Sequence, residues 1–331
     1  MRFAAALTRR LAGLAMLVMG AGALAPVTAR AQQPGYPSRP VTIVHPYPAG
    51  GVVDVMARLL ASEFSRRLGQ PFVVESRPGG TYTIAMRSVK RALPDGHTLL
   101  MHTNGFTMVQ STVRNTGLDA RTDFEPVGLV GEGPFGLFVH ASVPAHSVGE
   151  LVDFARRHPG KLNYGSAGVG GVTHLITARL LGAAGVSMVH VPYAGGPAVM
   201  QALLRNDTQV MVWDVPALMR QNKGQLRLLA VTGKDRFAGA PEVPTLQQAG
   251  IDVVSSSYMA LFAPAGTPSP VLDRLNAALK EVLAAPEVLK ALEGMSWTPT
   301  WSSRDAARRR VQSEVQDWAD TVRAANIPLA E

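Results

Sequence analysis

The pattern that decides the fold is an apolar run, a Gly-Gly turn and a helix-like run, and it occurs twice. Residues 41–51 read "VTIVHPYPAGG" and lead into "VVDVMARLLASEF", and residues 187–196 read "SMVHVPYAGG" and lead into "PAVMQALLRN". Glycine has no side chain, so such a turn lets the backbone come close to a ligand. The repeat predicts two α/β units, each with its own strand, turn and helix.

The rest of the chain alternates in the same way. In the first helix-like run, one face of Val52, Val55, Met56, Leu59, Leu60 and Phe64 is expected to be buried, and Gly69 is expected to end the helix. Strands alternating with helices predict parallel sheets covered on both faces. The other predicted strands are "FVVE", "TLLMHT", "FGLFVH", "LNYGSA", "SMVHV", "QVMVWD" and "LRLLAVT".

The first 31 residues have the form of a secretory signal peptide. A basic start, "MRFAAALTRR", precedes the apolar run "LAGLAMLVMGAGALA", and "ARA" ending at Ala31 has the small-x-small form of a cleavage site. We therefore expect a periplasmic protein whose mature chain begins near Gln32. An N-terminal membrane anchor is the alternative, and no later segment is apolar enough to span a bilayer.

Composition argues against several other classes. Hydrophobic residues make up 47% and charged residues 17%, so a folded chain with sizeable cores is expected. The four arginines of residues 1–31 are accompanied by no acid, and their removal lowers the formal net charge from +8 to +4. The chain has no cysteine, no HExxH and no nucleic-acid-binding motif. We predict no metal, no cofactor and no nucleic-acid partner.

Three Gly-rich turns lie between a predicted strand and a predicted helix. They are "PAGG" (residues 48–51), "YGSAGVGG" (164–171) and "YAGG" (193–196). The first amides of a helix have no partner inside it and are free to donate hydrogen bonds to an anion. The turns therefore predict recognition of a carboxylate or phosphate; the alternative is that each Gly-Gly pair is only a tight connection.

Enzyme signatures are incomplete. In "YGSAG", Tyr164 stands where a GxSxG nucleophile elbow needs its first glycine. "GEGPFG" (residues 131–136) matches GxGxxG, but it contains Pro134 and leads into a strand-like run, which is the wrong context for a dinucleotide site. Asp54 and Asp214 lie near predicted turns, but neither has a histidine or a second carboxylate at a spacing that would indicate a catalytic pair. They are interpreted as helix caps or ligand contacts rather than general bases.

Several further motifs, taken together and in order, resemble one protein family. They are "YPSRPVTIVHPYPAGGVVDVMARLLASEFSRRLGQPFVVESRPGG", "PDGHTLLMHT", "HPGKLNYGSAGVGGVTHL", "VHVPYAGGPAVMQALL", "LRLLAVTGKDR", "PEVPTLQQAGI" and "LFAPAGTPSPVLDRLNAAL". The chain is similar to the Bug (TctC-like) family, the extracytoplasmic solute receptors of tripartite tricarboxylate transporters. The resemblance covers essentially the whole mature chain.

The resemblance implies a type II periplasmic binding protein, in which two α/β domains hold a small carboxylate in the cleft between them. Domain 1 would comprise residues 32–135 and 256–331, and domain 2 residues 136–255, with crossings near "GLFVH" and "SYMALFAP". The C-terminal helices would then pack on domain 1. The implied partners are a small carboxylate or similar polar metabolite and the membrane permease subunits of such a transporter, and the receptor is expected to be a monomer.

The resemblance also implies the ligand-binding residues, which lie on the Gly-rich turns and at strand ends. Asn104 and Asp214 follow predicted strands and would face the same cleft, where α/β proteins bind ligands. For His174 the alternative is packing within its helix. The remaining implied residues are Tyr47, Pro48, Ala49, Gly50, Gly51, Asp54, Ser166, Ala167, Gly168, Gly170, His174, Tyr193, Gly195 and Gly196.

One segment departs from the family pattern. After "RPG", family members usually continue with a glycine-rich segment leading to Asn-Ile-Gly, whereas this chain reads "GGTYTIAMRS". Thr81 and Tyr82 stand where small residues are expected, so Tyr82 either points into the cleft or lies on the surface. Two other functions stay open: a secreted α/β hydrolase-like enzyme acting from the same cleft, and a ligand receptor that feeds a sensor kinase.

Overall fold

Two β-sheets flanked by helices organise the computed structural model, which describes residues 35–295 and 297–330. The predicted signal peptide, residues 1–31, lies outside the described residues. The strands are β1 Val41–His45, β2 Phe72–Ser76, β3 Thr98–His102, β4 Phe124–Gly133, β5 Phe135–His140, β6 Asn163–Ser166, β7 Val189–Pro192, β8 Val210–Asp214, β9 Leu226–Val231, β10 Ser257–Pro264 and β11 Thr298–Pro299.

The helices connect these strands and cover the faces of the sheets. A 3-10 turn, Gly80–Tyr82, leads into the second of them. Among the described residues, no helix is long and apolar enough to cross a membrane. The helices are α1 Val52–Leu68, α2 Thr83–Lys90, α3 Gly105–Thr112, α4 Val148–Arg157, α5 Val172–Ala184, α6 Gly196–Leu204, α7 Val215–Met219, α8 Ser269–Leu283, α9 Pro286–Gly294 and α10 Arg304–Ala324.

The predicted α/β class is confirmed, but the sheets are mixed rather than parallel. The first sheet has the order β11-β4-β10-β3-β1-β2 and the second β7-β6-β8-β5-β9. Strand β10 runs antiparallel to β3 and β4, and β5 runs antiparallel to β8 and β9. Parallel neighbours need a crossover connection, usually a helix. Strand β5 instead enters the second sheet from the first, and β10 enters the first sheet from the second. Neither follows a crossover helix within its own sheet, so each can run antiparallel to its neighbours.

Both sheets contain the same three-strand unit. Strand β1 lies between β2 and β3, and β6 lies between β7 and β8, with all four pairings parallel. By this topology the turn after β1 corresponds to the turn after β6, whereas β7 corresponds to β2. The two copies of the "AGG" motif in the sequence therefore occur in turns that are not equivalent in the fold. The turn that corresponds to residues 48–51 is residues 168–171.

The chain passes between the sheets twice. Pro134 separates β4 of the first sheet from β5 of the second, and residues 232–256 lead from β9 back to β10. By their contacts, the residues from Tyr36 onward form one compact unit that contains both sheets. The two-domain boundaries stay a prediction.

Helix α1 is buried through a stripe that differs in part from the predicted one. Met56, Leu60 and Phe64 are fully buried as predicted, but Val52 and Val55 are 54% and 53% exposed. These two valines lie in the first turn of the helix and turn away from the sheet, while alanines complete the buried stripe. The predicted helix end is confirmed, because Gly69 adopts a left-handed conformation at the C-cap.

The C-terminal helices divide between the two halves of the core. Helices α8 and α9 pack with α1 on one face of the first sheet, as predicted. Helix α10 does not follow that prediction throughout. Val311 and Val315 lie in the core on the other face of the first sheet, whereas Trp318 and Val322 belong to a core of the second. The helix is long enough, at 21 residues, to contact both.

Candidate functional site

The candidate site is formed by loops that follow parallel strands where the strand order reverses. In the first sheet these loops follow β1 and β3, and in the second they follow β6 and β8. The carboxyl ends of neighbouring parallel strands lie at one edge of a sheet, and connections that leave in opposite directions open a crevice there. The predicted site residues lie on these loops, with Tyr82 and the turn at 193–196 on the neighbouring ones.

Residues 48–51 and 168–171 form the same turn. Gly51 N–H donates to Pro48 O at 3.3 Å, and Gly171 N–H donates to Gly168 O at 3.3 Å. Gly51 and Gly171 have φ angles of −75° and −73°, which any residue can adopt. The preceding glycines differ, since Gly50 has φ +79° and Gly170 has φ +72°. Each turn therefore requires glycine at its third position.

A side chain four residues further on closes each turn. Gly50 N–H donates to Asp54 Oδ2 at 2.9 Å, and Gly170 N–H donates to His174 Nδ1 at 3.0 Å. The amides of these glycines are therefore already used inside the chain. The first helical hydrogen bonds come from Val55 N–H and Leu175 N–H. The donors that remain for an anion are the helix amides before them, at residues 52–54 and 172–174.

Asp54 lies at the centre of the first turn. Its side chain is buried, and besides Gly50 it accepts hydrogen bonds from Arg58 Nε at 3.0 Å and contacts His45 Nε2 at 3.0 Å. These contacts, with Arg58 the strongest, hold the pKa of the carboxyl far below its ordinary value. Both carboxylate oxygens have partners within the chain, so this side chain fixes the turn. A ligand contact by Asp54 stays a prediction.

Tyr47 and Tyr82 lie against the end of β3. The hydroxyl of Tyr47 is 2.6 Å from Thr103 Oγ1 and 3.2 Å from His102 Nδ1. The ring of Tyr82 lies 5.5 Å from the ring of Tyr47 and 5.1 Å from that of His102. Burial raises the pKa of both tyrosines and lowers that of His102 to about 3. Tyr82 is therefore packed on the loops at the switch point rather than free on the surface.

A stack of aromatic rings supports the second turn. Ser166 Oγ lies 2.7 Å from His190 Nε2 and accepts a hydrogen bond from Gly168 N–H at 3.3 Å. The rings of His174 and His190 are stacked at 3.7 Å, and the ring of Tyr164 stacks on that of His190 at 4.8 Å. Burial, with a smaller contribution from His190, lowers the pKa of His174 to about 4. Nδ1 of His174 thus accepts a hydrogen bond from within the chain, and its ring packs against that of His190.

The side chains of Asn104 and Asp214 form hydrogen bonds with backbone groups near the segments where the chain passes between the two sheets. Asn104 Nδ2 donates to Ser256 O at 2.8 Å, and its Oδ1 accepts from Tyr258 N–H at 3.2 Å, which joins the end of β3 to the returning chain. Asp214 Oδ1 accepts from Ala217 N–H at 2.8 Å and caps α7, as the interpretation of this residue as a cap predicted. Burial raises the pKa of the Asp214 carboxyl.

The two glycines of the turn at residues 193–196 have different reasons, a positive φ at Gly195 and packing at Gly196. Tyr193 N–H donates to Ser166 O at 2.9 Å, and Gly195 has φ +91°. A Cβ on Gly196 would lie 2.9 Å from Trp213 Cζ2, so glycine makes room for the indole. Among the other predicted residues, Pro48 and Ala49 are exposed at the tip of the first turn, and Ala167 N–H donates to Thr173 Oγ1 at 3.3 Å.

Sequence reasoning missed four residues of this region: His102, Thr103, His190 and Trp213. Two signals could have found the histidines. His102 directly follows a buried apolar run at a predicted strand end, and His190 begins the second copy of the repeated motif. Nothing in the sequence marks Trp213, because its contact with Gly196 joins two separate strand ends.

Comparison with known proteins gives the family. Residues 56–327 match the family described as "Tripartite tricarboxylate transporter family receptor". The chain belongs to this family. It is 31% identical over 328 residues to "Protein BugT" of Bordetella pertussis (strain Tohama I), a match that covers 98% of this chain and 99% of that protein. The resemblance to the Bug receptors is confirmed.

Solved structures agree with this assignment. Rpa4515 of R. palustris, solved with adipate, has 31% identity and a TM-score of 0.73, and the match covers 89% of this chain and 99% of that one. The periplasmic binding protein BugD has 31% identity and a TM-score of 0.71, with 89% of this chain and 100% of that one covered. The receptor therefore has the fold of the periplasmic binding proteins of its family, as the sequence predicted.

Proposed function

We propose that this receptor captures a small organic acid at the two matched turns and delivers it to the membrane permease subunits of a tripartite tricarboxylate transporter. The observation that carries the proposal is the equivalence of residues 48–51 and 168–171. Each turn places the free amides of a following helix, α1 or α5, at a strand switch point. A carboxylate group is an acceptor that such amides and the dipole of the helix bind well.

The chemistry of the turns favours a ligand with one carboxylate for each of them. Residues 45–54 and 164–174 contain no lysine or arginine, so recognition would depend on amide and hydroxyl donors rather than on a side-chain cation. The relative solved with adipate, a dicarboxylate, supports this choice. A citrate-like tricarboxylate would bring a third charge for which these two segments offer no cation.

Export, location and assembly follow the same proposal. The receptor would be exported by its N-terminal signal peptide, act in the periplasm as a monomer, and consist of the two domains 32–135 with 256–331, and 136–255. The mature protein recovered from the cell envelope is expected to begin within a few residues of Gln32, as intact mass would show. Neighbouring genes for permease subunits would support the transporter partner, and a neighbouring sensor kinase would support the signalling alternative.

We also propose that the receptor does not act as an enzyme. The Ser166–His190 contact of 2.7 Å resembles a nucleophile and base, but Ser166 is fully buried. Among residues 35–295 and 297–330, no carboxylate bonds to His190, so the group that would orient a catalytic histidine is lacking. Hydrolysis of p-nitrophenyl acetate that is lost in Ser166→Ala would contradict this proposal and favour the hydrolase.

Binding without turnover tests the whole proposal. We expect succinate or adipate to raise the melting temperature in step with ln(1 + [L]/Kd), to bind more tightly than citrate in calorimetry, and to be recovered unchanged. If none of the three acids binds, or if the bound acid is converted, the receptor function proposed here is wrong.

A further inference from the structure

His102 carries a buried hydrogen-bond donor that has no acceptor. Its side chain is 0% exposed, and Nδ1 accepts a hydrogen bond from Thr103 N–H at 2.8 Å. Nδ1 also lies 3.1 Å from Thr103 O and 3.2 Å from the Tyr47 hydroxyl, but Thr103 N–H donates to it at the shortest of the three distances and makes it an acceptor. That assigns the single hydrogen of the neutral ring to Nε2. Among the described residues, Nε2 has no hydrogen-bond partner. Buried polar groups almost always have one, so this donor needs an explanation.

Tyr82 packs against the imidazole of His102. The two rings meet edge to face, with centroids 5.1 Å apart and planes at 79°. A Cβ built on Gly105 would lie 2.5 Å from Tyr82 Cε2 and 3.0 Å from His102 Cε1, the carbon between the two ring nitrogens. Tyr82 can therefore rest over His102 only because residue 105 is glycine.

The segment that holds Tyr82 is strained. Gly79, Gly80, Thr81 and Tyr82 have consecutive φ angles of +113°, +56°, +47° and +77°. Residues other than glycine rarely adopt positive φ, and such conformations concentrate at ligand clamps and switching segments. Strain in the segment and an unsatisfied donor beneath it both favour a second position of Tyr82.

We propose that Tyr82 is a gate over His102 and that the opened gate presents Nε2–H to a carboxylate of the ligand. The location supports this role, because His102 ends β3 next to β1, and the first turn with its free helix amides follows β1. A carboxylate held by those amides at the switch point would receive a side-chain donor that the ligand-free protein keeps covered. This inference rests on the proposed function and names a specificity-determining pair within the same site.

Nuclear magnetic resonance on protein labelled with 15N-histidine tests the gate directly. In Tyr82→Ala, we expect the Nε2 hydrogen of His102 to exchange with solvent at least tenfold faster than in the parent. Thr81→Ala, in the same strained segment, keeps the ring and should leave the exchange rate unchanged. Gly105→Ala removes nothing from Tyr82 but pushes its ring away, so it should also speed exchange and gives the same test if Tyr82→Ala fails to fold.

Binding of adipate to the same variants tests whether the ligand uses the His102 donor. Saturating adipate should shift the His102 Nε2–H resonance, and calorimetry should give at least threefold tighter binding to Tyr82→Ala because no ring must be displaced. In that background, His102→Asn, which keeps an acceptor near Nδ1 but no donor at Nε2, should weaken binding about tenfold, or about 1.4 kcal/mol. If adipate binds but leaves the resonance unmoved, the gate is rejected and the receptor function stands. If succinate, adipate and citrate bind to neither protein, both are rejected.

Discussion

The amide of Gly50 donates to Asp54 Oδ2 at 2.9 Å, and the same relationship joins Gly170 to His174 Nδ1 at 3.0 Å. The two turns differ in the charge of the acceptor. Asp54 is a buried carboxylate balanced by Arg58, whereas His174 is a neutral imidazole. An anion bound at both turns, as proposed, would therefore meet a negative group at the first turn and a neutral one at the second.

Asp54→Ala should weaken the binding of every carboxylate, although it removes a negative charge. The substitution leaves Gly50 N–H without its acceptor and His45 without a buried partner, which typically costs about 1–3 kcal/mol of unfolding free energy. Urea denaturation and calorimetry with succinate and adipate would measure both effects. Asp153→Ala, on the exposed surface of α4, is the matched control and should change neither. Tighter binding by Asp54→Ala would mean that charge repulsion outweighs the fixing of the turn.

Alanine substitutions in the turns should separate backbone conformation from side-chain bulk. Gly50 and Gly168 have φ angles of +79° and +135°, where an alanine is strained by about 1–3 kcal/mol. A Cβ meets no atom within 4 Å at either position, so the cost is conformational. We expect Gly50→Ala and Gly168→Ala to weaken adipate binding about tenfold.

Gly51→Ala is the matched control for these variants. Gly51 has φ −75°, and its Cβ would lie 3.3 Å from Pro48 O, a contact that a small shift relieves. Its effect on calorimetric affinity should stay below about threefold. Equal losses in all three variants would indicate that bulk near the ligand, and not the positive φ, is what the glycines avoid.

The local features of the fold were predictable because they depend on residues close in sequence. The strand and helix segments, the helix end at Gly69 and the cap at Asp214 each follow from a short pattern. The mixed character of the sheets could not be predicted in this way, since the direction of β5 and β10 depends on pairings with strands far along the chain. Helix α10 was misplaced in part for the same reason, because its length brings it to a second core.

The site was predictable as a set of loops but not as a set of contacts. The spacing of Gly50, Asp54 and Arg58, four residues apart each time, was visible in the sequence and could have indicated that Asp54 is paired along its own helix. The contacts of Tyr82 with His102 join segments that only the fold brings together. The resemblance could not supply them either, because it implies residues on single loops and says nothing of contacts between loops.

Arg310 on α10 should stabilise the crossing between the sheets. Its guanidinium pairs with Glu132 at the end of β4, donates to Ser256 Oγ at 2.9 Å and lies 4.3 Å from the ring of Tyr258. The side chains of Arg310 and Glu132 are 23% and 29% exposed, so this ion pair is half-buried. Because Arg310→Met leaves Glu132 without its partner, it should lower the unfolding free energy by about 1–3 kcal/mol. The neighbouring Arg309 is exposed, and Arg309→Met should change it by less than about 0.5 kcal/mol in the same urea titration. Similar values for the two variants would show that Arg310 does not secure the crossing.

The stacked histidines should make the protein less stable in mild acid. Burial and His190 lower the pKa of His174 to about 4, below the value of about 6.5 in an unfolded chain. The unfolded state therefore takes up a proton as the pH falls below about 6.5 while the folded state does not, so the stabilisation present above that pH is lost progressively down to about pH 4. The loss from this residue should reach at most about 1.4 kcal/mol per pH unit, the limit for a single titrating group.

Urea titrations between pH 7 and pH 5 would measure the slope of the unfolding free energy against pH. His174→Gln keeps an acceptor near Gly170 but cannot titrate, so its slope should be shallower than that of the parent. The slope should not vanish, because burial lowers the pKa of His102 to about 3 and that residue contributes over the same pH range. If His174→Gln and the parent have equal slopes, His174 titrates alike in the folded and unfolded chains, and the stacked pair does not hold it neutral.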